Sequence, residues 1–169
     1  MTDLDVLATM PLFDRVPRAA LAAFCEAAPR LVLPARQVAF CQGEPADRAL
    51  LVVTGRLDAV LGSETLGDVR PGEIVGETAL FVPGGVRQAT VRAAVESTCL
   101  VLTASSLRDN RDNPAVVALQ QHLIGALGRR IRSTNLLIQK QWNLQRAPDA
   151  PPPPPSLVDR LRLMFGAGR

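Results

Sequence analysis

The residues with the clearest capacity for chemistry lie in the stretch Pro71-Gly72-Glu73-Ile74-Val75-Gly76-Glu77-Thr78-Ala79-Leu80-Phe81-Val82-Pro83-Gly84-Gly85-Val86-Arg87-Gln88-Ala89-Thr90-Val91-Arg92-Ala93. A carboxylate, Glu77, and a guanidinium, Arg87, stand ten positions apart across a Gly-rich loop. The pattern reads as a strand running into Gly76, a short helical turn, and a loop that leads through Arg87 into another strand. The free backbone N–H groups of such a turn form an anion site, and Gly76 lets a ligand approach the backbone closely. Arg87 offers a planar fork to phosphate oxygens. Glu77 only accepts hydrogen bonds when ionised, so it repels phosphate but suits a sugar hydroxyl. A ribose-phosphate with both functions exposed matches that pair.

Plainer readings stand beside this one. Glu77 and Arg87 could form a surface ion pair worth under about 1 kcal/mol. His122, the only histidine, falls in the middle of a helical stretch, which does not suit catalysis or metal binding. Glu44 and Asp47 read as turn residues. No nucleophile–base pair, metal cluster or P-loop is present in the sequence, so a catalytic role is not expected. Cys25, Cys41 and Cys99 are scattered and odd in number, which fits neither a disulfide framework nor zinc spacing. They read as buried reduced thiols. The formal charge of +3, carried almost wholly by Arg, permits an anionic partner without demanding nucleic acid. An acidic start, Met1-Thr2-Asp3-Leu4-Asp5, and the lack of an apolar run of ~18 residues predict a soluble cytoplasmic protein with no signal peptide.

The elements that must position these groups can be read from composition and period. Residues 1 to about 30 are Ala-rich, with Leu21, Phe24, Cys25 and Ala28 on one helical face. Pro11 and Pro17 divide that zone into two short helices. From Leu31 to about Leu107, short Val- and Leu-rich runs alternate with Gly, Pro and Asp. Leu50–Val53, Arg56–Val60, Glu73–Val75, Ala89–Ala93 and Thr98–Leu102 predict strands of an all-β sandwich or roll. Asn113-Pro114 then opens a long helix to about residue 145. Val117, Ile124, Ile131 and Ile138 recur every seven residues, beside Val116, Leu123, Leu137 and Leu144. That seam suits a two-stranded helix pair, although Arg130, Thr134 and Gln141 interrupt it. The plainer alternative is that the stripe packs only on its own roll, but the helix is long for so small a roll to cover.

With the elements laid out, the 71–93 stretch resembles the phosphate-binding cassette of the cyclic-nucleotide-binding domain family. Gly76-Glu77, Leu80-Phe81 and Arg87-Gln88-Ala89 occupy the places of its Gly-Glu, short helix and Arg-Ser/Thr-Ala elements. Phe40-Cys41-Gln42-Gly43-Glu44 resembles its Gly-Glu/Asp hairpin, and Leu51-Val52-Val53-Thr54-Gly55-Arg56-Leu57 its strand-Gly-strand element. The likeness spans roughly residues 10 to 145. It implies a mainly β fold with flanking helices, a double-stranded β-helix (a jelly-roll-like β-roll) followed by a long C-terminal helix. It also implies a cyclic purine mononucleotide ligand, cAMP ahead of cGMP, and no other cofactor. Glu77 would accept the ribose 2′-hydroxyl and Arg87 would pair with the cyclic phosphate. Backbone N–H groups at Gly76, Gln88 and Ala89 would help. Gln88 departs from the family pattern, since Ser or Thr usually gives a hydroxyl there. Arg129-Arg130-Ile131-Arg132-Ser133-Thr134-Asn135 resembles the dimer-helix segment of bacterial activators, which makes Thr134 and Asn135 candidate base contacts across a homodimer formed by the 114–145 helix. Polar residues at an imperfect seam remain the other reading of those two.

The organisation expected is a roll with N-terminal helices over residues 1–112, a long helix and dimer seam over 113–146, a proline-rich linker over 147–155 and an amphipathic tail helix over 156–169. Pro151 to Pro155 predict an extended spacer of ~3 Å per residue. Beyond it, Leu157, Val158, Leu161, Met164 and Phe165 share one helical face. About 25 residues after the long helix cannot make a winged-helix domain, so DNA binding is not expected. The tail suits a groove on a protein partner or a membrane interface. Two functions follow: a ligand-gated sensor and adaptor, or a ligand-free β-roll scaffold that recruits partners through the tail.

Overall fold

Thr2 is the first residue and Gln145 the last that the computed structural model describes. Thr2 caps the first helix, α1 (Asp3–Leu7), through a reciprocal box. Its hydroxyl accepts the Asp5 N–H at 3.3 Å while the Asp5 carboxylate accepts the Thr2 N–H at 3.0 Å. A 3-10 turn at Pro11–Phe13 and helix α2 (Arg18–Ala27) follow. Pro11 and Pro17 therefore punctuate the zone as the sequence predicts, with one extra turn between the two helices. Leu21, Phe24 and Ala28 are buried on one face.

Eight strands then form two antiparallel four-stranded sheets. The strands are β1 (Arg30–Leu33), β2 (Val38–Phe40), β3 (Ala49–Thr54), β4 (Leu57–Leu61), β5 (Glu64–Val69), β6 (Ile74–Val75), β7 (Thr90–Ala93) and β8 (Ser97–Leu102). One sheet runs β1-β8-β3-β6 and the other β2-β7-β4-β5. Consecutive strands thus cross repeatedly between sheets, the jelly-roll manner of covering both inner faces. Gly55 makes the crossover from β3 to β4. It sits at φ +89°, and a Cβ there would lie 2.5 Å from the Glu96 carbonyl oxygen, closer than any side chain tolerates.

β3 is buried along Ala49–Val53, and its alternation serves two apolar cores. Leu50 and Val52 pack with Leu33, Phe40, Leu57, Val91 and Cys99 between the sheets. Ala49, Leu51 and Val53 pack instead with Leu7, Phe13, Leu21 and Phe24 of the N-terminal helices. A short helix α3 (Ala104–Asp109), capped by Thr103 and Ser106, closes the roll. Helix α4 spans Pro114–Gln145, with Pro114 at its first position and the Asn113 side chain accepting the Ala115 N–H at 2.8 Å.

The contacts divide the chain into one unit through Leu127 and a second from Gly128. In the first unit, Ala115, Val116, Leu119 and Leu123 of α4 belong to the core that includes the N-terminal helices, whereas Val117 and Ile124 are exposed. Within this unit the predicted seam is thus split, Val116 and Leu123 packing on the chain's own roll and Val117 and Ile124 facing out. In the second unit Ile131, Leu136, Leu137, Ile138 and Trp142 are exposed. The cysteines are free, but only Cys99 is buried; Cys25 is half-buried and Cys41 exposed. The expectation of three buried thiols is corrected at Cys41, which lies just past β2 where the chain leaves the sheet to turn.

Candidate functional site

β6 hydrogen-bonds along β3, with Leu50 opposite Val75 and Leu51 opposite Ile74, and so delivers Gly76 at the end of a fixed strand. Gly76 takes the left-handed conformation, φ +78° and ψ 21°, which turns the chain into a 3-10 helix over Glu77–Leu80. Ala79 and Leu80 anchor that turn by burial, while Phe81, Val82 and Val86 in the following loop are exposed.

The loop returns against the hairpin after β2. Ala46 N–H donates to the Gly85 carbonyl at 2.8 Å, Arg87 N–H to the Glu44 carbonyl at 2.8 Å, and Gly43 N–H to the Arg87 carbonyl at 2.9 Å. Pro45 and Val86 form a bridge within this ladder. The Gly43-Glu44 hairpin and the Arg87 segment, some 40 residues apart in sequence, thereby hold each other.

This backbone frame fixes the Arg87 side chain, which is only 6% exposed. Its Nη1 donates to the Arg48 carbonyl oxygen at 2.7 Å and its Nη2 to Asp47 Oδ1 at 3.2 Å. The guanidinium carbon lies 3.5 Å from the centre of the Phe40 ring. On the Gly76 side, a Cβ at that residue would stand 2.6 Å from Nη1 and 3.1 Å from the Phe40 ring. The guanidinium therefore occupies the space a side chain at 76 would take. Burial lowers the Arg87 pKa, and the Asp47 carboxylate opposes that shift; an arginine remains a cation throughout. Arg87 is therefore a buried side chain rather than a surface one.

The structure thus brings Gly76 and Arg87 into direct contact, with half-buried Glu77 the next residue in the chain. Gln88 is exposed, and its amide donates to the Val86 carbonyl at 3.3 Å. Ala89 is half-buried and leads into β7. Thr134 and Asn135 are exposed on α4 in the second unit. Leu157, Val158, Leu161, Met164 and Phe165 lie outside the described residues. Sequence reasoning did not find three partners of Arg87: the Phe40 ring, the Asp47 carboxylate and the Arg48 carbonyl. Asp47 carries no local mark beyond that of a turn residue. Phe40 had one usable signal, an aromatic at the inward position just before a Gly-Glu hairpin.

A concavity of about 750 Å³ lies elsewhere, between Pro11–Val16 and the start of α4, with His122 on its wall. It contains none of the residues that converge on Arg87. Among the described residues no group of His, Cys, Asp and Glu is placed to hold a metal ion, and no helix is long and apolar enough to cross a membrane.

Comparison with known proteins agrees with the fold. A family model described as the cyclic nucleotide-binding domain matches residues 30–112. A CRP-like cAMP-activated global transcriptional regulator of Mycobacterium tuberculosis is 28% identical over 137 residues, 78% of this chain; the chain spans 59% of that regulator's length. The N-terminal domain of a transcriptional regulator from Streptomyces coelicolor superposes with a TM-score of 0.59 at 31% identity, covering 78% of this chain and 95% of that one. Thermus thermophilus catabolite activator protein gives a TM-score of 0.66 at 26% identity, covering 78% and 62% respectively.

Proposed function

The chain belongs to the cyclic nucleotide-binding domain family, and on that premise we propose that it is a cyclic-mononucleotide sensor and adaptor, with cAMP the preferred ligand over cGMP and no catalytic step of its own. The observation that carries this reading is the buried Arg87 guanidinium, packed on the Phe40 ring and against Gly76, the residue before Glu77. A cation held so far from solvent attracts an incoming phosphate through little screening water, and Asp47 offsets only part of its charge. Glu77, at the start of the turn beside it, takes the ribose hydroxyl, and Gln88 and Ala89 line the exit into β7. The cAMP-activated regulator among the relatives supports the choice of base.

Output runs through protein contacts. The exposed row Val117, Ile124, Ile131 and Ile138 is the face on which a second copy pairs, bringing Thr134 and Asn135 to the base. The apolar tail face, Leu157 to Phe165, engages a protein partner, or failing that a membrane interface. For nucleotide to act as a signal it must bind two arrangements of the chain with different affinity.

One observation favours the ligand-free scaffold instead. Asp47 and the Arg48 carbonyl already satisfy part of Arg87, so the arginine has a structural use as well. Titration calorimetry with cAMP and with cGMP separates the two. Heat with either, abolished by Arg87→Leu and retained in a chain ending at Pro148, supports the sensor. Absence of heat from both nucleotides with a folded protein leaves the scaffold.

A further inference from the structure

We infer that Phe40 is a positioning residue for anion binding: its ring holds the Arg87 guanidinium in a single plane before any ligand arrives. This rests on the proposed function, because it assigns Arg87 to a phosphate. The ring lies at the end of β2, opposite Val91 of β7, and is 4% exposed within the inter-sheet core. It is therefore immobilised by packing on the side away from the arginine. At 3.5 Å from the ring centre, the guanidinium is in stacking contact, well inside the ~6 Å range of cation–π attraction. Arg48, at 6.0 Å from the same centre, is at the limit of that range.

The consequence for binding is one of preorganisation. A free arginine side chain is flexible, and freezing it on binding weakens affinity. Here the ring fixes the plane from one face, and Gly76, beside the edge of the ring, leaves room for Nη1 that a side chain would take. Within the plane, the Arg48 carbonyl at 2.7 Å and Asp47 at 3.2 Å fix its rotation. Bidentate capture of a phosphate requires the donors of that same plane to point at the oxygens together. Phe40 contributes by ordering the fork without touching the ligand.

The test compares Phe40→Leu, which keeps apolar volume but loses the ring face, with Phe40→Tyr, which keeps the face. Two readouts are taken: the cAMP dissociation constant by calorimetry, and the Arg87 Nε–Hε resonance of the nucleotide-free protein by 15N NMR. The cost of ordering one long side chain on binding predicts a rise in the dissociation constant of about twofold to tenfold in Phe40→Leu. The Hε signal should also lose its ring-current shift and exchange faster with water. Phe40→Tyr should match the native protein in both. Should Phe40→Leu fail to fold, Phe40→Met supplies the ring-free arm. An Arg87 resonance unchanged without the ring, or equal losses of affinity in the ring-free and Tyr variants, overturns the inference. Wild-type protein that binds neither nucleotide overturns the proposed function and the phosphate role of Phe40 with it. Wild-type binding that Phe40→Leu retains at full strength overturns the positioning role alone.

Discussion

Gly76→Ala puts one methyl group where the Arg87 guanidinium now lies, and its cost can be worked from the local geometry. The residue sits at φ +78°, where an L-residue other than glycine costs about 1–2 kcal/mol. Stiffening of the unfolded chain by alanine returns about 0.4–1 kcal/mol. The new Cβ would be 2.6 Å from Arg87 Nη1 and 3.2 Å from the Arg48 carbonyl oxygen, so the guanidinium must move. Doing so breaks its 2.7 Å bond to that carbonyl, a hydrogen bond to a charged group worth about 1.5–3 kcal/mol. The net expectation is a loss of roughly 2–4 kcal/mol. At about 2–4 °C per kcal/mol for a chain of this size, the unfolding midpoint should drop by roughly 5–15 °C. Nucleotide affinity should fall at least tenfold, because the displaced arginine no longer meets the phosphate. Chemical denaturation followed by circular dichroism gives the first quantity and calorimetry the second. A variant within about 0.5 kcal/mol of wild type, or one that keeps wild-type affinity, would refute the reasoning, since no clash of this kind could then exist.

Two further outcomes bear on other parts of the molecule. If two copies pair through the exposed row of α4 as proposed, native protein should sediment as a dimer and Ile131→Arg as a monomer; a monomeric native protein, or a variant that stays dimeric, would refute pairing through that row. In thiol labelling at alkaline pH, exposed Cys41 should react first and half-buried Cys25 more slowly. Cys99, its pKa pushed up to about 11 by burial, should label only on unfolding, and rapid modification of Cys99 in native protein would contradict its place between the sheets.

Much of the roll is legible in the sequence because its inner strands are dense in Val and Leu and separated by turn residues. Leu50–Val53 and Thr98–Leu102 read as strands and pair with each other at the centre of one sheet. β5 escaped that reading. Glu64–Val69 is largely exposed and pairs only with β4 at the sheet edge, so burial impressed no apolar pattern on it. The long helix was readable from Asn113-Pro114 onward, but its two apolar rows look alike in sequence. Only packing reveals that Val116 and Leu123 turn inward while Val117 and Ile124 do not. Arg87 and Gly76 stood out by type and spacing. Their contact did not, because Phe40, Asp47 and Arg48 come from a hairpin about 40 positions away; side chains so distant in sequence leave no periodic trace.

The alternation of β3 between the two cores has a mechanical meaning. Its neighbour β8 shares the arrangement, with Leu100 and Leu102 toward the helices and Cys99 between the sheets. Neither core can therefore loosen while the other stays rigid, since both lean on the same two strands, and the first unit should melt in one cooperative step. Asp47 and Arg48 lead directly into β3 at Ala49. A tug on the arginine clamp is thus delivered to one of the two strands that both cores share, much as a keystone transmits load to both sides of an arch.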